Sequence, residues 1–98
     1  MSAAQASVAE GRRLFLDPKK GNCAACHQVP GDSEIKSRSK IGPPLVEIGK
    51  RFPERNVLRA TLWDLGTTVP DTIMPPYGRH RLLTESEIDA VLSYIESL

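Results

Sequence analysis

Residues 21–27 read Gly-Asn-Cys-Ala-Ala-Cys-His, and the rest of the chain is best understood outward from this stretch. It places Cys23, Cys26 and His27 in the order Cys-x-x-Cys-His, which is the attachment signature of c-type haem. The spacing has a mechanical reason, because two thiols three positions apart can reach the two vinyl groups at one porphyrin edge as thioethers. The histidine that follows turns its imidazole under the ring towards the iron. We therefore predict one covalently attached haem c, with His27 as an axial ligand.

Two other uses of the same residues carry less weight. A thioredoxin-like redox pair shares the Cys-x-x-Cys spacing but normally begins a helix after a β-strand, and no segment here alternates with the period of a strand. A structural zinc ion needs four ligands. The two cysteines with His27 and His80 would supply four, at a spacing that fits no common zinc module.

The composition indicates why the chain needs a cofactor. A domain of 98 residues buries too little apolar surface for a comfortable core. Both of its two cysteines lie in the motif, so a multi-disulfide framework is excluded.

A net charge of +1 gives no whole-molecule case for nucleic-acid binding. No apolar run approaches the ~18 residues of a membrane span, and no signal sequence opens the chain, so we expect a soluble chain that is mature or trimmed.

Helices are predicted at both ends of the chain. The first runs from residue 4 to residue 16, and its apolar residues fall on one face: Ala4, Val8, Leu14 and Phe15. Gly11 in its middle costs about 1 kcal/mol relative to alanine, so we expect another part of the chain to approach it closely. The expected partner is the last helix, which begins after Thr84 because Thr84 and Glu87 form a capping box. Its apolar residues recur at helical spacing: Ile88, Val91, Leu92 and Ile95, with Tyr94 beside them.

The middle of the chain is predicted to hold one helix between long loops. Pro53 suits the first turn of a helix that runs to about Trp63. Its predicted buried stripe consists of Val57, Leu58, Thr61 and Leu62. A short helical turn is expected over residues 44–48, and residues 28–41 and 66–81 are connective. Since loops of more than about twelve residues usually have something to wrap, we predict an all-α fold: three to four helices and long loops around one haem, in one domain over residues 1–98.

A second axial ligand is expected, because haem iron in an electron carrier is usually six-coordinate. Met74 is the only methionine after Met1, and two prolines stiffen the backbone directly after it. His80 is the alternative second ligand, but its two flanking arginines favour a solvated turn before the last helix. A thioether stabilises Fe(II) more than a second imidazole does. Ligation by His27 and Met74 therefore predicts a higher reduction potential than bis-histidine ligation, and no vacant site for oxygen or a substrate.

Residues 42–45, Gly-Pro-Pro-Leu, offer a partner for the proximal histidine. Such a histidine usually donates its second ring N–H to a carbonyl that fixes the ring, and Pro43 or Pro44 presents one on a stiff backbone. An ordinary Pro-Pro turn is the alternative. Trp63 and the arginines at positions 51, 55 and 59 suit contact with haem or ordinary packing equally, so no role is assigned to them.

With these residues in place, the chain resembles the class I cytochrome c family throughout. Gly11 and Phe15 against Tyr94 look like its crossed terminal helices, and residues 42–45 look like its Gly-Pro-x-Leu element. The resemblance implies the class I cytochrome c fold and electron transfer. It also implies that the carbonyl of the first proline, Pro43, accepts the histidine hydrogen bond.

Within that family, residues 21–98 look most like the SoxX family, the monohaem subunits of the SoxAX complexes of thiosulfate-oxidising bacteria. The phrases that carry this likeness are those at residues 21–27, Ile-Gly-Pro-Pro-Leu at 41–45, Leu-Arg at 58–59, Trp-Asp at 63–64, Asp-Thr-Ile-Met-Pro-Pro-Tyr-Gly at 71–78 and Leu-Thr-Glu at 83–85. The loop over residues 28–40 departs from it. The likeness implies a heterodimer with a SoxA-type cytochrome that holds the sulfur chemistry, and a thiosulfate adduct on the carrier SoxYZ. Since no cysteine is left after haem attachment, this chain would accept electrons and carry no catalytic residue.

Two other functions stay open. A freely diffusing periplasmic electron shuttle fits the size and near-neutral charge, and would use a smaller and more transient interface than an obligate subunit. A ligand sensor would need an open iron site. Because covalent haem attachment takes place outside the cytoplasm in bacteria, we expect a periplasmic location.

Overall fold

The computed structural model describes residues 2–98, and Met1 lies outside them. Four α-helices follow along the chain: α1 Ala3–Leu16, α2 Ile48–Arg51, α3 Arg55–Asp64 and α4 Glu85–Glu96. Two short 3₁₀ turns lie at Cys23–Ala25 and Leu65–Thr67. Residues 2–98 contain no strand, which confirms the predicted all-α class. No helix among them has both the length and the apolar character needed to cross a membrane.

Both terminal helices begin with a capping box. In α1 the Ser2 hydroxyl accepts a hydrogen bond from the Gln5 amide at 3.1 Å, and the Gln5 side chain accepts one from the Ser2 amide at 2.8 Å. In α4 Thr84 and Glu87 repeat this arrangement at 3.2 and 2.8 Å. These bonds satisfy amides that the start of a helix otherwise leaves free. The predicted start of the last helix is therefore confirmed.

Helices α1 and α4 cross at Gly11. A Cβ atom added there would lie 1.9 Å from the Ala90 carbonyl oxygen, so the crossing requires a residue without a side chain. One turn further along α1, Phe15 packs edge-on against Tyr94 with ring centroids 5.3 Å apart. The predicted close approach to Gly11 is confirmed. Of the four apolar residues on the predicted face, Ala4 is exposed, because the buried face of α1 lies towards its C-terminal end.

Helix α3 differs from its prediction in its start and in its buried face. Glu54 has extended backbone angles and caps the helix, so Pro53 lies before the first turn and not in it. Leu58 and Leu62 are buried as predicted, but Val57 is 55% exposed. Successive residues are rotated by about 100° around a helix, so a helix that buries the line through 58 and 62 leaves Val57 facing solvent.

Helix α2 begins where the predicted turn over residues 44–48 was expected to end. Glu47 has a left-handed backbone with φ of 50°, which cannot belong to a right-handed helix. Residues 44–47 are therefore irregular, and the helix starts at Ile48. The prediction was wrong in position because a non-glycine residue with positive φ leaves no clear mark in a sequence.

Candidate functional site

A cavity of about 510 Å³ is enclosed by the helices and the two long loops. Its wall is mainly apolar and draws on all four helices: Phe15 of α1, Ile48 of α2, Leu58 and Leu62 of α3, and Val91 and Ile95 of α4. Such a volume lies within the range of small-molecule and cofactor sites. The space between the helices thus lies where the sequence predicts a cofactor.

The Cys-x-x-Cys-His motif forms part of the cavity wall. Cys23 begins the 3₁₀ turn Cys23–Ala25, and Cys26 caps it with its amide 3.1 Å from the Cys23 carbonyl oxygen. In a 3₁₀ turn, side chains at i and i+3 lie above one another, so both thiols face the same side. Both are free thiols. The turn therefore gives the motif spacing its structural reason, since it presents two thiols to one edge of the cavity.

The His27 ring is fixed from two sides. Its Nδ1 lies 2.7 Å from the Pro43 carbonyl oxygen, the partner that the family resemblance implied. A Cβ atom at Gly42 would lie 2.4 Å from Cε1 of the same ring, so the backbone of residue 42 packs directly on the imidazole. An Nδ1–H that donates to a carbonyl leaves the Nε2 lone pair available for a metal. Sequence reasoning gave Gly42 no such role.

Met74 lines the same cavity as the motif and is half-buried. Its amide donates a hydrogen bond to the Thr72 hydroxyl at 3.1 Å, which orders the approach to it. His80 is exposed and does not line the cavity. The structure thus brings Cys23, Cys26, His27, Pro43 and Met74 to one place and leaves His80 outside it.

Tyr77 joins the Met74 loop to the motif, a role that sequence reasoning missed. It is buried, and its hydroxyl donates to the Gly21 carbonyl at 2.5 Å. The hydroxyl also lies beside Cys23, and burial raises the pKa of the Cys23 thiol to about 12 and raises the pKa of Tyr77 as well. Its role could have been suspected from the sequence, because Tyr77 is the single aromatic residue in the proline-rich segment 66–81.

Arg51 is the cationic side chain in the cavity wall. Its guanidinium donates weakly to the carbonyls of Pro44 and Val46, each at 3.4 Å, and among residues 2–98 it pairs with no carboxylate. Arg55 and Arg59 instead form ion pairs with acidic residues of α4. The three arginines that the sequence left unassigned are therefore separated, and only Arg51 is placed to meet a negatively charged edge of a cofactor.

The donor set fits haem c and does not fit zinc. Two thiols on one turn, an imidazole with its Nδ1 engaged, a thioether and an apolar wall match the needs of a covalently held haem. His80, the fourth ligand of the zinc alternative, is exposed and does not line the cavity that holds the two cysteines and His27. Haem would be held by Cys23, Cys26, His27 and Met74.

An all-α fold around an apolar cavity with two thiols, an imidazole and a thioether is typical of c-type haem proteins. The chain belongs to the cytochrome c family, whose profile, described as "Cytochrome c", matches residues 8–98. It is accordingly an electron-transfer haem protein with covalently bound haem c and the class I cytochrome c fold.

One relative found by sequence comparison adds no information on function. The chain is 35% identical over 77 residues to an "Uncharacterized lipoprotein" of Aquifex aeolicus (strain VF5). The match covers 79% of this chain and 36% of that protein, so the chain spans about a third of the length of the curated relative it matches.

Proposed function

We propose that this protein carries one haem, attached at Cys23 and Cys26 and ligated by His27 and Met74, and that it relays single electrons. The observation that carries the proposal is the one apolar cavity that collects all four residues. Haem, when bound, supplies a reversible one-electron change at iron. The chain's own residues would hold it, since Pro43 orients the imidazole and the prolines after Met74 stiffen the backbone that carries the thioether.

Filling both axial positions would leave no iron coordination site for a substrate. The apolar wall would keep water away from a bound haem, and Arg51 would supply a positive charge for a haem carboxylate. Electrons would therefore enter and leave at the cavity edge without chemistry on this chain. Such a chain is a relay for a reaction performed elsewhere.

The optical spectrum of the oxidised holoprotein tests this ligation. We expect a methionine–iron charge-transfer band that is lost in Met74→Ala, and far more carbon monoxide binding to the reduced variant than to the reduced wild-type protein, of which only a small fraction should bind it. His80→Ala is the control and should leave the spectrum unchanged. A wild-type protein that binds carbon monoxide readily would contradict the proposal and favour the ligand sensor.

The finer proposal is that the protein is the SoxX subunit of a SoxAX-type complex in the periplasm. It would accept electrons from a SoxA-type partner during the oxidative coupling of thiosulfate to SoxYZ, as the non-catalytic subunit of an L-cysteine S-thiosulfotransferase. The phrases at residues 41–45 and 71–78 support this, together with the absence of a cysteine outside the motif.

The surface beside the cavity supports docking of a protein with an acidic face. Residues 36–51 carry five basic side chains and one acidic one, a local charge of +4 in a molecule of net charge +1. Within the described chain, Lys36, Arg38, Lys40 and Arg51 form no ion pair, whereas Glu47 is paired with Lys50. Two side chains of the same cavity wall are apolar and exposed: Ile41, within this segment, is 63% exposed, and Ile73 is 76% exposed.

Co-expression separates the subunit from the freely diffusing shuttle. The tagged protein is purified after expression with an untagged SoxA-type cytochrome. We expect the two to copurify in equal amounts and to elute together at physiological salt. Elution of this chain as a monomer beside the unbound cytochrome would support the shuttle and contradict the subunit proposal.

A further inference from the structure

We propose that Asp64 and Trp63, at the C-terminal end of α3, are positioning residues for Met74, because they anchor the loop that carries it. The anchor consists of Trp63, Asp64, Gly78 and Arg79, and we call it the loop anchor. The proposal rests on Met74 as the iron ligand. None of the four residues lines the cavity, so they would act on Met74 only through the loop.

The backbone makes the first link. The carbonyl of Trp63 accepts hydrogen bonds from the amides of Gly78 at 3.2 Å and Arg79 at 3.1 Å. Trp63 lies in the last turn of α3, where carbonyls have no partner within the helix. The loop thus supplies the hydrogen bonds that end the helix, and the helix in turn fixes the position of residues 78 and 79.

The second link is the packing of Gly78 on the indole of Trp63. A Cβ atom at Gly78 would lie 2.0 Å from Cε3 and 2.2 Å from Cδ2 of that ring, so the loop backbone rests directly on it. The guanidinium of Arg59 lies 5.8 Å from the ring centroid, at a distance suited to a cation–π contact. The indole is therefore held between the loop and its own helix.

The third link is an ion pair with a buried carboxylate. Asp64 is 8% exposed and is the one buried charged residue in the described part of the chain. Its Oδ1 accepts from the Gly66 amide at 3.0 Å, and its Oδ2 accepts from the Arg79 guanidinium at 3.0 Å. The Asp64 side chain is 10% exposed and the Arg79 side chain is 68% exposed, so solvent screens this pair and its electrostatic contribution is modest. Residue 79 is thus held to α3 by its side chain as well as by its amide.

The loop is stiff enough to carry this constraint back to Met74. Pro75 and Pro76 fix two backbone angles directly after the methionine. The Tyr77 amide then donates to the Pro75 carbonyl at 3.0 Å, and the His80 amide donates to Pro76 at 3.0 Å, which closes a tight turn. With the chain held at 78 and 79, the thioether has little freedom to leave the cavity. A weakened anchor should therefore raise the population in which Met74 is detached.

The test compares Arg79→Gln, Arg79→Lys and Arg81→Gln holoproteins. We expect Arg79→Gln to weaken the methionine–iron charge-transfer band of the oxidised protein and to raise the fraction of reduced protein that binds carbon monoxide by about fivefold. Arg79→Lys keeps a cation near Asp64 and should restore most of both signals. Arg81 is exposed, lies in the same loop and forms no ion pair within residues 2–98, so Arg81→Gln should match the wild-type protein.

Two outcomes would overturn the proposal separately from the ligation itself. If Met74→Ala changes both signals while Arg79→Gln changes neither, Met74 is the ligand and the loop anchor does not position it. If Arg79→Gln only lowers the unfolding temperature and leaves both signals intact, the anchor has a structural role alone. If Met74→Ala leaves the band intact, the ligation proposal fails instead. Asp64→Asn, which keeps the hydrogen bond to Gly66, should reproduce Arg79→Gln, and the arginine variants suffice if it does not fold.

Discussion

Gly42 controls the proximal histidine through a contact that leaves no room for a methyl group. A Cβ atom there would lie 2.4 Å from Cε1 and 2.7 Å from Nδ1 of His27. We predict that Gly42→Ala turns the imidazole away from the Pro43 carbonyl, because the adjacent backbone, bonded to the Cys26 carbonyl at 2.8 Å, cannot retreat easily. The yield of holoprotein should fall by about tenfold or more, measured as the ratio of Soret absorbance to total protein.

Gly31→Ala is the matched control for this prediction. A Cβ atom at Gly31 would meet nothing nearer than a Leu98 methyl group at 4.0 Å, so that variant should load haem normally. Equal haem content in both variants would show that the His27 ring has more freedom than the contact indicates.

At the scale of single elements, a substitution of Gly11 at the α1–α4 crossing has two opposing effects on stability: better helix propensity and a steric clash. Alanine at position 11 would gain about 1 kcal/mol of helix propensity. It would also press a methyl group into the Ala90 carbonyl, and overpacking of this kind costs typically 1–3 kcal/mol and more where backbone must move. We predict a net loss of about 2 kcal/mol in the free energy of unfolding of Gly11→Ala, measured by urea denaturation of the holoprotein.

Ala6 of the same helix is exposed and measures the propensity term alone. Ala6→Gly should lower the free energy of unfolding by about 1 kcal/mol. A Gly11→Ala variant more stable than the wild-type protein would mean that the two helices can separate without loss.

The 28–40 loop is tied to both terminal helices through Asp32. Its carboxylate accepts from Arg12 Nε at 2.7 Å and from the Tyr94 hydroxyl at 2.8 Å. The Arg12 guanidinium, more than the Tyr94 hydroxyl, lowers the pKa of Asp32 from 3.8 to about 2. Because the folded pKa is the lower one, this stabilisation is complete above the ordinary pKa of 3.8 and is lost as the pH falls towards 2.

We predict that Asp32→Asn lowers the free energy of unfolding by on the order of 1 kcal/mol at pH 7, a value reduced for the partial exposure of Arg12. The variant should also lose less stability than the wild-type protein between pH 4 and pH 2. Urea unfolding across that range measures both effects. Glu34→Gln is the control, since Glu34 is 83% exposed and lies 3.9 Å from Arg12. Parallel pH profiles for Asp32→Asn and the wild-type protein would contradict the assignment.

Elements whose determinants are local were predicted best. The capping box of Thr84 and Glu87 lies within four residues and marked the start of α4 correctly. Val57 was misplaced because its exposure depends on which face of α3 meets the remainder of the fold, and a short apolar stripe leaves that choice open. The position of α2 depended on the positive φ of Glu47, which its residue type does not indicate.

The same division holds for the candidate site. Cys23, Cys26 and His27 lie in one motif, and Met74 could be found by counting the available ligands. The contacts of Gly42 with the imidazole and of Gly78 with Trp63 join positions 15 residues apart, and only the folded chain shows them. The sequence did not distinguish Arg51 from Arg55 and Arg59. The structure does, because the other two arginines form ion pairs with acidic residues of α4.

At the scale of the whole molecule, positive charge is concentrated in one segment, although the net charge is only +1. Residues 36–51 carry +4 beside the cavity, so the remaining 82 residues carry −3 in a total of +1. A local excess of one sign steers an oppositely charged partner and raises the association rate, most strongly at low ionic strength. A molecule with a net charge of only +1 can therefore still attract an acidic partner to one side.

If the SoxA-type cytochrome is the partner, as proposed above, replacing Lys36, Arg38 and Lys40 together by glutamine should slow electron transfer with it by about tenfold at low salt, and little at high salt, where screening already removes the attraction. Stopped-flow kinetics over a range of ionic strength measure the rate. Lys19→Gln is the control, because Lys19 is an exposed cation outside the segment and is unpaired within residues 2–98. A wild-type rate that does not change with salt would show that the cationic segment takes no part in docking, and the apolar side chains of Ile41 and Ile73 would then be the surface to alter.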